Sequence, residues 1–361
     1  MKIKLILLLF FILQQTYSQQ LKPYFDKSEY EELLLVSVRT NTKKEYYSNF
    51  REPKEYKKVY RSNVVGLDNL WELWIDTKKT KAVISIRGTI PKMGSAIENV
   101  YAAMVSAKGE IYLSETDTFK YNLSPNPDAA VHIGWLIGMA YLSKDIIPKI
   151  DSIYKTGIKD ILLMGHSQGG AINYLLTAYL YNLQENGLLP KDIRFKTYCS
   201  AAPKPGNLYF AYYYGYLTQN GWGYNVVNSA DWVPETPITI QTLRDLNKSN
   251  PFTNAKTEIK KQKFPKNLVL KTVYNKLDKP TKKAQRNYEK YLGEKTSKFI
   301  MKNLDGYSPP DKYFSSNNYV RAGTTIILYA DDKYFKEFPD KEDDMLIHHM
   351  YKAYLFLLKN L

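Results

Sequence analysis

An α/β fold, with a mostly parallel central sheet and helices on both faces, is predicted by three observations. From residue 70 onward, short strand-like apolar runs alternate with amphipathic helical runs. Residues 161–164 are continuously apolar, as a strand covered on both faces must be. Between that strand and the helix after it stands a serine flanked by glycines, Gly165-His166-Ser167-Gln168-Gly169.

The elements follow in order. Residues 70–75 and 82–86 read as strands, 133–149 as a helix and 161–164 as a short strand. A helix over 170–184 places Ile172, Leu175, Leu176, Tyr179 and Leu183 on one face. Then come a strand (194–200), a helix (207–217) and a strand (224–228). After a long interval, a strand over 324–329 and a helix over 344–358 complete the pattern.

Composition bounds what the chain does. With 361 residues and 44% hydrophobic content, it is too apolar to be disordered throughout. Its one cysteine, Cys199, excludes an internal disulfide and a cysteine-built zinc or iron–sulfur site. Cys199 falls in a predicted buried strand and reads as a small core residue. At the start, Lys2 and Lys4 accompany an apolar run to Leu13, and Thr16-Tyr17-Ser18 offers a cleavage site. Residues 1–18 therefore read as a signal peptide, which implies export, periplasmic or secreted. A single domain over 19–361 is expected to remain.

The net charge of +15 is concentrated rather than spread. Residues 241–320 hold 18 Lys and Arg against 7 Asp and Glu. This stretch reads as a basic insertion before the last strand, with a helix over 280–304 whose apolar positions include Tyr288, Tyr291, Leu292 and Phe299. One reading is a solvated surface insertion. The other is peripheral contact with an anionic membrane or lipid surface. No nucleic-acid module is visible, so neither a nucleic acid nor an obligate protein partner is expected.

The chemistry centres on Ser167. A serine on a sharp strand-to-helix turn has its side chain lifted out of the sheet, and the glycines on either side permit that turn. The helix behind it stabilises developing negative charge. A serine nucleophile needs a base, and the chain has four histidines. His166 lies beside Ser167 on the same turn and faces the wrong way. His132, in Val131-His132-Ile133-Gly134, reads as a supporting residue. That leaves His348 and His349 at the start of the last helix. The spacing does not separate them; the reading leans to His348 and keeps His349 open. Asp231, just past the strand 224–228 in a Pro-bounded loop, lies at the carboxyl edge of the sheet, where it can orient an imidazole. The backbone N–H of Gln168 is one oxyanion donor. Thr89, after the strand 82–86, is the candidate for the other.

These residues together resemble the fungal-type (class 3) lipase family of α/β hydrolases. Five segments carry the resemblance: Arg87-Gly88-Thr89, Val131-His132-Ile133-Gly134, Gly165-His166-Ser167-Gln168-Gly169, Ala202-Pro203-Lys204-Pro205-Gly206-Asn207, and Val226-Val227-Asn228 with Asp231-Trp232-Val233-Pro234. It spans roughly residues 60–240 and resumes at 320–361. The resemblance implies an α/β-hydrolase fold with a nucleophile elbow. It also implies hydrolysis of lipid esters of triacylglycerol type, without cofactor or metal. Ser167, Asp231 and one terminal histidine would be catalytic, with Thr89 and Gln168 forming the oxyanion hole. A family lid would correspond to 97–105, with Ile97, Tyr101, Met104 and Val105 on one helical face. Two alternatives stand beside this: a phospholipase acting on anionic surfaces, and a lipase-like surface-binding protein whose catalysis is vestigial.

Overall fold

A computed structural model describes residues 21–41 and 44–361. The expected signal peptide, 1–18, lies outside the described residues. Among the described residues, no helix is long and apolar enough to cross a membrane.

The described strands run in chain order as β1 (Tyr56–Arg61), β2 (Trp71–Asp76), β3 (Lys81–Ile86), β4 (Met104–Ser106), β5 (Lys108–Ser114), β6 (Asp117–Asn122), β7 (Ala130–His132), β8 (Asp160–His166), β9 (Arg194–Ser200), β10 (Gly206–Asn207), β11 (Gly223–Asn228), β12 (Tyr319–Val320) and β13 (Thr324–Leu328). The main sheet is ordered β1-β2-β3-β8-β9-β11-β13. Its β1–β2 and β2–β3 pairs are antiparallel, and every later pair is parallel. This is the α/β-hydrolase arrangement, with the central strand β8 leading to Ser167.

The apolar run of β8 divides between two cores. Ile161 and Leu163 enter one with Ala82, Ile84 and Ile86 of β3, beneath the helices Ile133–Lys155 and Gln168–Glu185. Leu162 and Met164 enter the other with Val83, under the helices Lys27–Val38 and Tyr351–Leu358. Period-two alternation across a strand buried on both faces requires apolar residues at every position. Each fully buried Leu or Ile contributes about 1.5–3 kcal/mol relative to exposure. Cys199 is buried on β9, and burial raises its thiol pKa well above the usual range, so it is an inert core residue.

Three expectations change in the structure. The last helix begins at Tyr351, not at 344. Residues 344–350 instead form turns, such as His349 N–H to Leu346 O at 2.9 Å, because their side chains and carbonyls are held by other elements. The helix expected over 97–105 is Met93–Val100, and Met104 and Val105 belong to β4, paired with His132 and Val131. The helix stops because its next backbone groups are taken from outside. Ala103 N–H donates to Leu292 O, and the N–H groups of Ile133 and Gly134 donate to the carbonyls of Ala103 and Tyr101. Finally, the helix expected over 280–304 starts earlier, at Lys266, runs to Glu289, passes through a π-turn (Lys290–Lys295) and resumes as Thr296–Asn303. Tyr288 is buried against Ala102, Met104 and Tyr319, with Leu292 packed beside it, whereas Tyr291 and Phe299 are exposed.

The helix Lys27–Val38 has no counterpart in the sequence reading. Its residues 33–38 are buried without a break, so its apolar positions show no helical stripe.

Candidate active site

The turn at the end of β8 is built by exclusion of side chains. Ser167 has φ 60° and ψ −131°, a left-handed conformation that a non-glycine residue adopts only under constraint. A Cβ on Gly165 would lie 2.3 Å from the carbonyl carbon of Gly169, and one on Gly169 would lie 2.3 Å from Ile86 O. No rotamer relieves a contact with backbone, so glycine is required at both positions. The Ser167 N–H donates to Ser200 O at 2.9 Å, tying the turn to the end of β9.

The residues on either side of Ser167 point to opposite layers. Gln168 is buried; its side chain accepts from Ser95 Oγ at 3.1 Å and donates to Ser95 O at 3.3 Å, on the helix Met93–Val100. Its backbone N–H is the first of the helix Gln168–Glu185, where no intrahelical acceptor exists. His166 is buried on the other side, stacked on Tyr351, and its Nε2 lies 2.8 Å from His349 O. A carbonyl accepts only, so Nε2 carries the proton and Nδ1 accepts from Ser200 Oγ at 3.0 Å. Burial pushes the His166 pKa down to about 3, with the nearby His349 adding to the effect. His166 is thus a neutral strut beneath His349.

Asp231 follows β11 and is buried. Its Oδ2 lies 2.7 Å from His349 Nδ1 and accepts from Tyr354 Oη at 2.8 Å, while its Oδ1 accepts from Val233 N–H at 3.0 Å. Three donors hold the carboxylate, and the pair fixes the His349 tautomer: Nδ1 donates to Asp231, leaving Nε2 with a free lone pair. His348 is turned elsewhere. Its Nδ1 lies 2.8 Å from Tyr334 Oη and its Nε2 2.9 Å from Asp340 Oδ1, while its carbonyl accepts from Asn228 Nδ2. Asp231 therefore pairs with His349 and not with His348, towards which the sequence reading leaned. Two adjacent residues in a turn point apart, and sequence spacing alone does not say which one faces Asp231.

Thr89 is exposed in the loop after β3, and its Oγ1 accepts from Asn99 Nδ2 at 3.0 Å. Gly88 places that loop against the elbow, where a Cβ would lie 2.8 Å from His166 O. His132 supports the fold: it caps the helix Ile133–Lys155, its Nδ1 accepting from Trp135 N–H at 3.3 Å, and its Nε2 donates to Asn99 O at 3.2 Å. Burial lowers its pKa to about 3 as well. Arg87 donates to Asp68 O at 2.8 Å, a structural contact.

The segment in the lid position is strapped down. Glu98, fully buried, accepts from Asn69 at 2.8 Å, and burial holds its carboxyl well above the usual carboxylate range. Asn99 accepts from Trp135 Nε1 at 2.9 Å, and Gly134 approaches so closely that a Cβ would lie 2.0 Å from Glu98 O. Tyr354, Ser95 and Glu98 escaped the sequence reading. Tyr354 stands on the last helix and its partner Asp231 is 123 residues away in sequence, and Glu98 looks like any surface carboxylate. Among the described residues, no group of three or more His, Cys, Asp or Glu is arranged to hold a metal ion.

The family model described as lipase (class 3) matches residues 83–241, from β3 past Asp231. No curated protein matches the chain. Among solved structures, a lipase of Yarrowia lipolytica is 19% identical with a TM-score of 0.44, over 60% of this chain and 76% of that one. A lipase of Rhizopus microsporus var. chinensis is 20% identical with a TM-score of 0.42, over 63% and 76%. A fungal lipase in complex with an inhibitor is 19% identical with a TM-score of 0.44, over 58% and 74%.

Proposed function

We propose that this chain, a carboxylic ester hydrolase of the class 3 lipase family, cleaves lipid esters of triacylglycerol type with Ser167 as nucleophile, His349 as general base and Asp231 as its orienting carboxylate. The observation that carries the assignment is the buried 2.7 Å contact between His349 Nδ1 and Asp231 Oδ2, which leaves Nε2 as the basic atom. In this mechanism His349 Nε2 withdraws the Ser167 proton as Oγ attacks the ester carbonyl. The Asp231 carboxylate stabilises the imidazolium that results. The N–H groups of Gln168 and Thr89 receive the oxyanion, each worth about 3 kcal/mol of barrier. His349 then returns the proton to the departing alcohol, and water attacks the acyl-enzyme by the same route. Export through residues 1–18 belongs to the same proposal, and the N-terminal sequence of the mature protein tests it.

The decisive assay uses p-nitrophenyl esters of increasing chain length, below and above their aggregation thresholds, with the Ser167→Ala variant alongside. The expected result is activity on long chains that rises at the threshold and falls at least about 10⁴-fold in Ser167→Ala. Full activity in that variant would sink the assignment. Activity confined to soluble short esters would make the protein an esterase. Phospholipid deacylation is a second reading, favoured by the basic insertion over 241–320. Release of fatty acid from anionic phospholipid in preference to triacylglycerol would establish it.

A further inference from the structure

The insertion between β11 and β13 has two halves. In the second, Tyr288, Ile300, Leu304 and Tyr313 are buried against the body. The first, residues 252–277, is a helical hairpin formed by Ala255–Lys260 and the start of Lys266–Glu289. Between Lys266 and Leu277 no residue is buried.

One apolar stripe runs along the longer helix at four-residue spacing: Val269, Val273, Leu277, then Ala284 and Tyr288. Its far end is covered, since Tyr288 is 9% exposed. Its near end is bare: Val269 is 59% exposed, Val273 51% and Leu277 65%, with Phe264 at 80% where the hairpin turns. Lys271, Lys279 and Lys282 occupy the other side of the same helix, and Lys276 and Lys283 flank the stripe. The hairpin through Lys279 carries eight lysines against two acids, Glu258 and Asp278. Both acids are already engaged, Glu258 by Lys261 and Asp278, which is buried, by Lys282.

We propose that residues 252–279 dock the protein on an anionic lipid bilayer, with Phe264, Val269, Val273 and Leu277 entering the interface and the flanking lysines meeting the headgroups. Charge complementarity selects this occupant. A helix with aliphatic residues on one side and lysines on the other has the character of an interfacial membrane helix. A second copy of the chain would bring like charges together. A nucleic acid would leave the aliphatic residues in water. The proposal deepens the lipid-ester reading and rests on it only for what the docked enzyme then hydrolyses.

The test is sedimentation of the purified full chain with vesicles of phosphatidylcholine alone or mixed with phosphatidylserine. The triple variant Val269→Ser, Val273→Ser, Leu277→Ser and a second, Lys271→Gln with Lys276→Gln, run beside it. The expected result is binding to the mixed vesicles only, weakened by salt and reduced about tenfold or more in each variant. Hydrolysis of a soluble short-chain ester by the variants should stay at the parent level. Equal binding to both vesicle types, or unchanged binding in the triple variant, overturns the proposal. So does duplex DNA binding that only the lysine variant weakens, or a concentration-dependent dimer lost in the triple variant. Binding to vesicles without ester hydrolysis would sink the catalytic reading and leave docking intact; hydrolysis without binding would do the reverse.

Discussion

The elbow at Ser167 and the hairpin over 252–277 treat their surroundings in opposite ways. At the elbow the neighbouring polar groups are spoken for: Gln168 by Ser95, His166 by Ser200 and His349, Asp231 by three donors. Glycine stands wherever a Cβ would strike backbone. On the hairpin, aliphatic side chains lie in water and lysines outnumber acids, with eight against two when it is followed through Lys279. The difference teaches where each region finds its stability. The elbow is determined by contacts inside the molecule, whereas the near end of the hairpin's apolar stripe is left uncovered by the rest of the described residues.

The sharpest break of this comparison lies inside the site itself. His349→Ala should lower ester hydrolysis by at least about 10³-fold. His348→Ala should keep activity within about tenfold, because the contacts it loses, to Tyr334, Asp340 and Phe335, do not include Asp231. Steady-state kinetics on a soluble ester checks both, and the opposite ranking would return the base to His348.

Next in size is the effect on stability. Gly169→Ala forces a Cβ to within 2.3 Å of Ile86 O and should cost several kcal/mol, about 3 or more, or prevent folding. Leu277→Ser, on the bare end of the stripe, should change stability by less than about 0.5 kcal/mol. Urea unfolding of the two variants side by side measures the contrast. A large cost for Leu277→Ser would mean that the hairpin is packed rather than presented.

The last effect is graded with pH. His166 and His132 have ordinary values of 6.5 and folded values near 3, so both stay neutral in the fold while the unfolded chain takes up protons. The unfolded state therefore binds more protons between those limits, and stability falls as the pH drops below about 6.5. The slope is up to about 1.4 kcal/mol per pH unit for each histidine. Thermal midpoints measured below about pH 4.5, where Glu98 is protonated in both states and adds no slope, with His132→Asn for comparison, should show roughly half the histidine slope lost.

The sequence made the elbow readable because its chemistry is local. Gly165 to Gly169 impose their turn over five residues, between a strand marked by its unbroken apolar run and a helix marked by its period. Asp231 is readable as a candidate because it follows β11 directly. What stayed hidden depends on distant contacts. His348 and His349 differ only in which neighbour each faces, and that is decided by Asn228, Tyr334 and Asp231 from other parts of the chain. The helix through 97–105 ended early because Leu292, nearly two hundred residues away, supplies a carbonyl to Ala103. The basic composition of 241–320 was plain from the start. Which half of its apolar stripe the body covers is a property of packing, and the exposed half lay upstream of the helix the sequence suggested.

Residues 166, 167 and 168 work as a mount with two braced legs and a free head. One leg reaches the turn before the C-terminal helix through His349 O, and the other reaches the helix Met93–Val100 through Ser95. A displacement of either layer reaches the serine as strain, and the hairpin is linked to the second leg through Thr296–Asn303, which continues its long helix and packs on Met93–Val100. Engineering follows from that geometry. The exposed side chains of the hairpin can be recharged or exchanged to retarget the protein to another surface without retuning the serine, whereas a change in either bracing layer should be read first as a change in alignment.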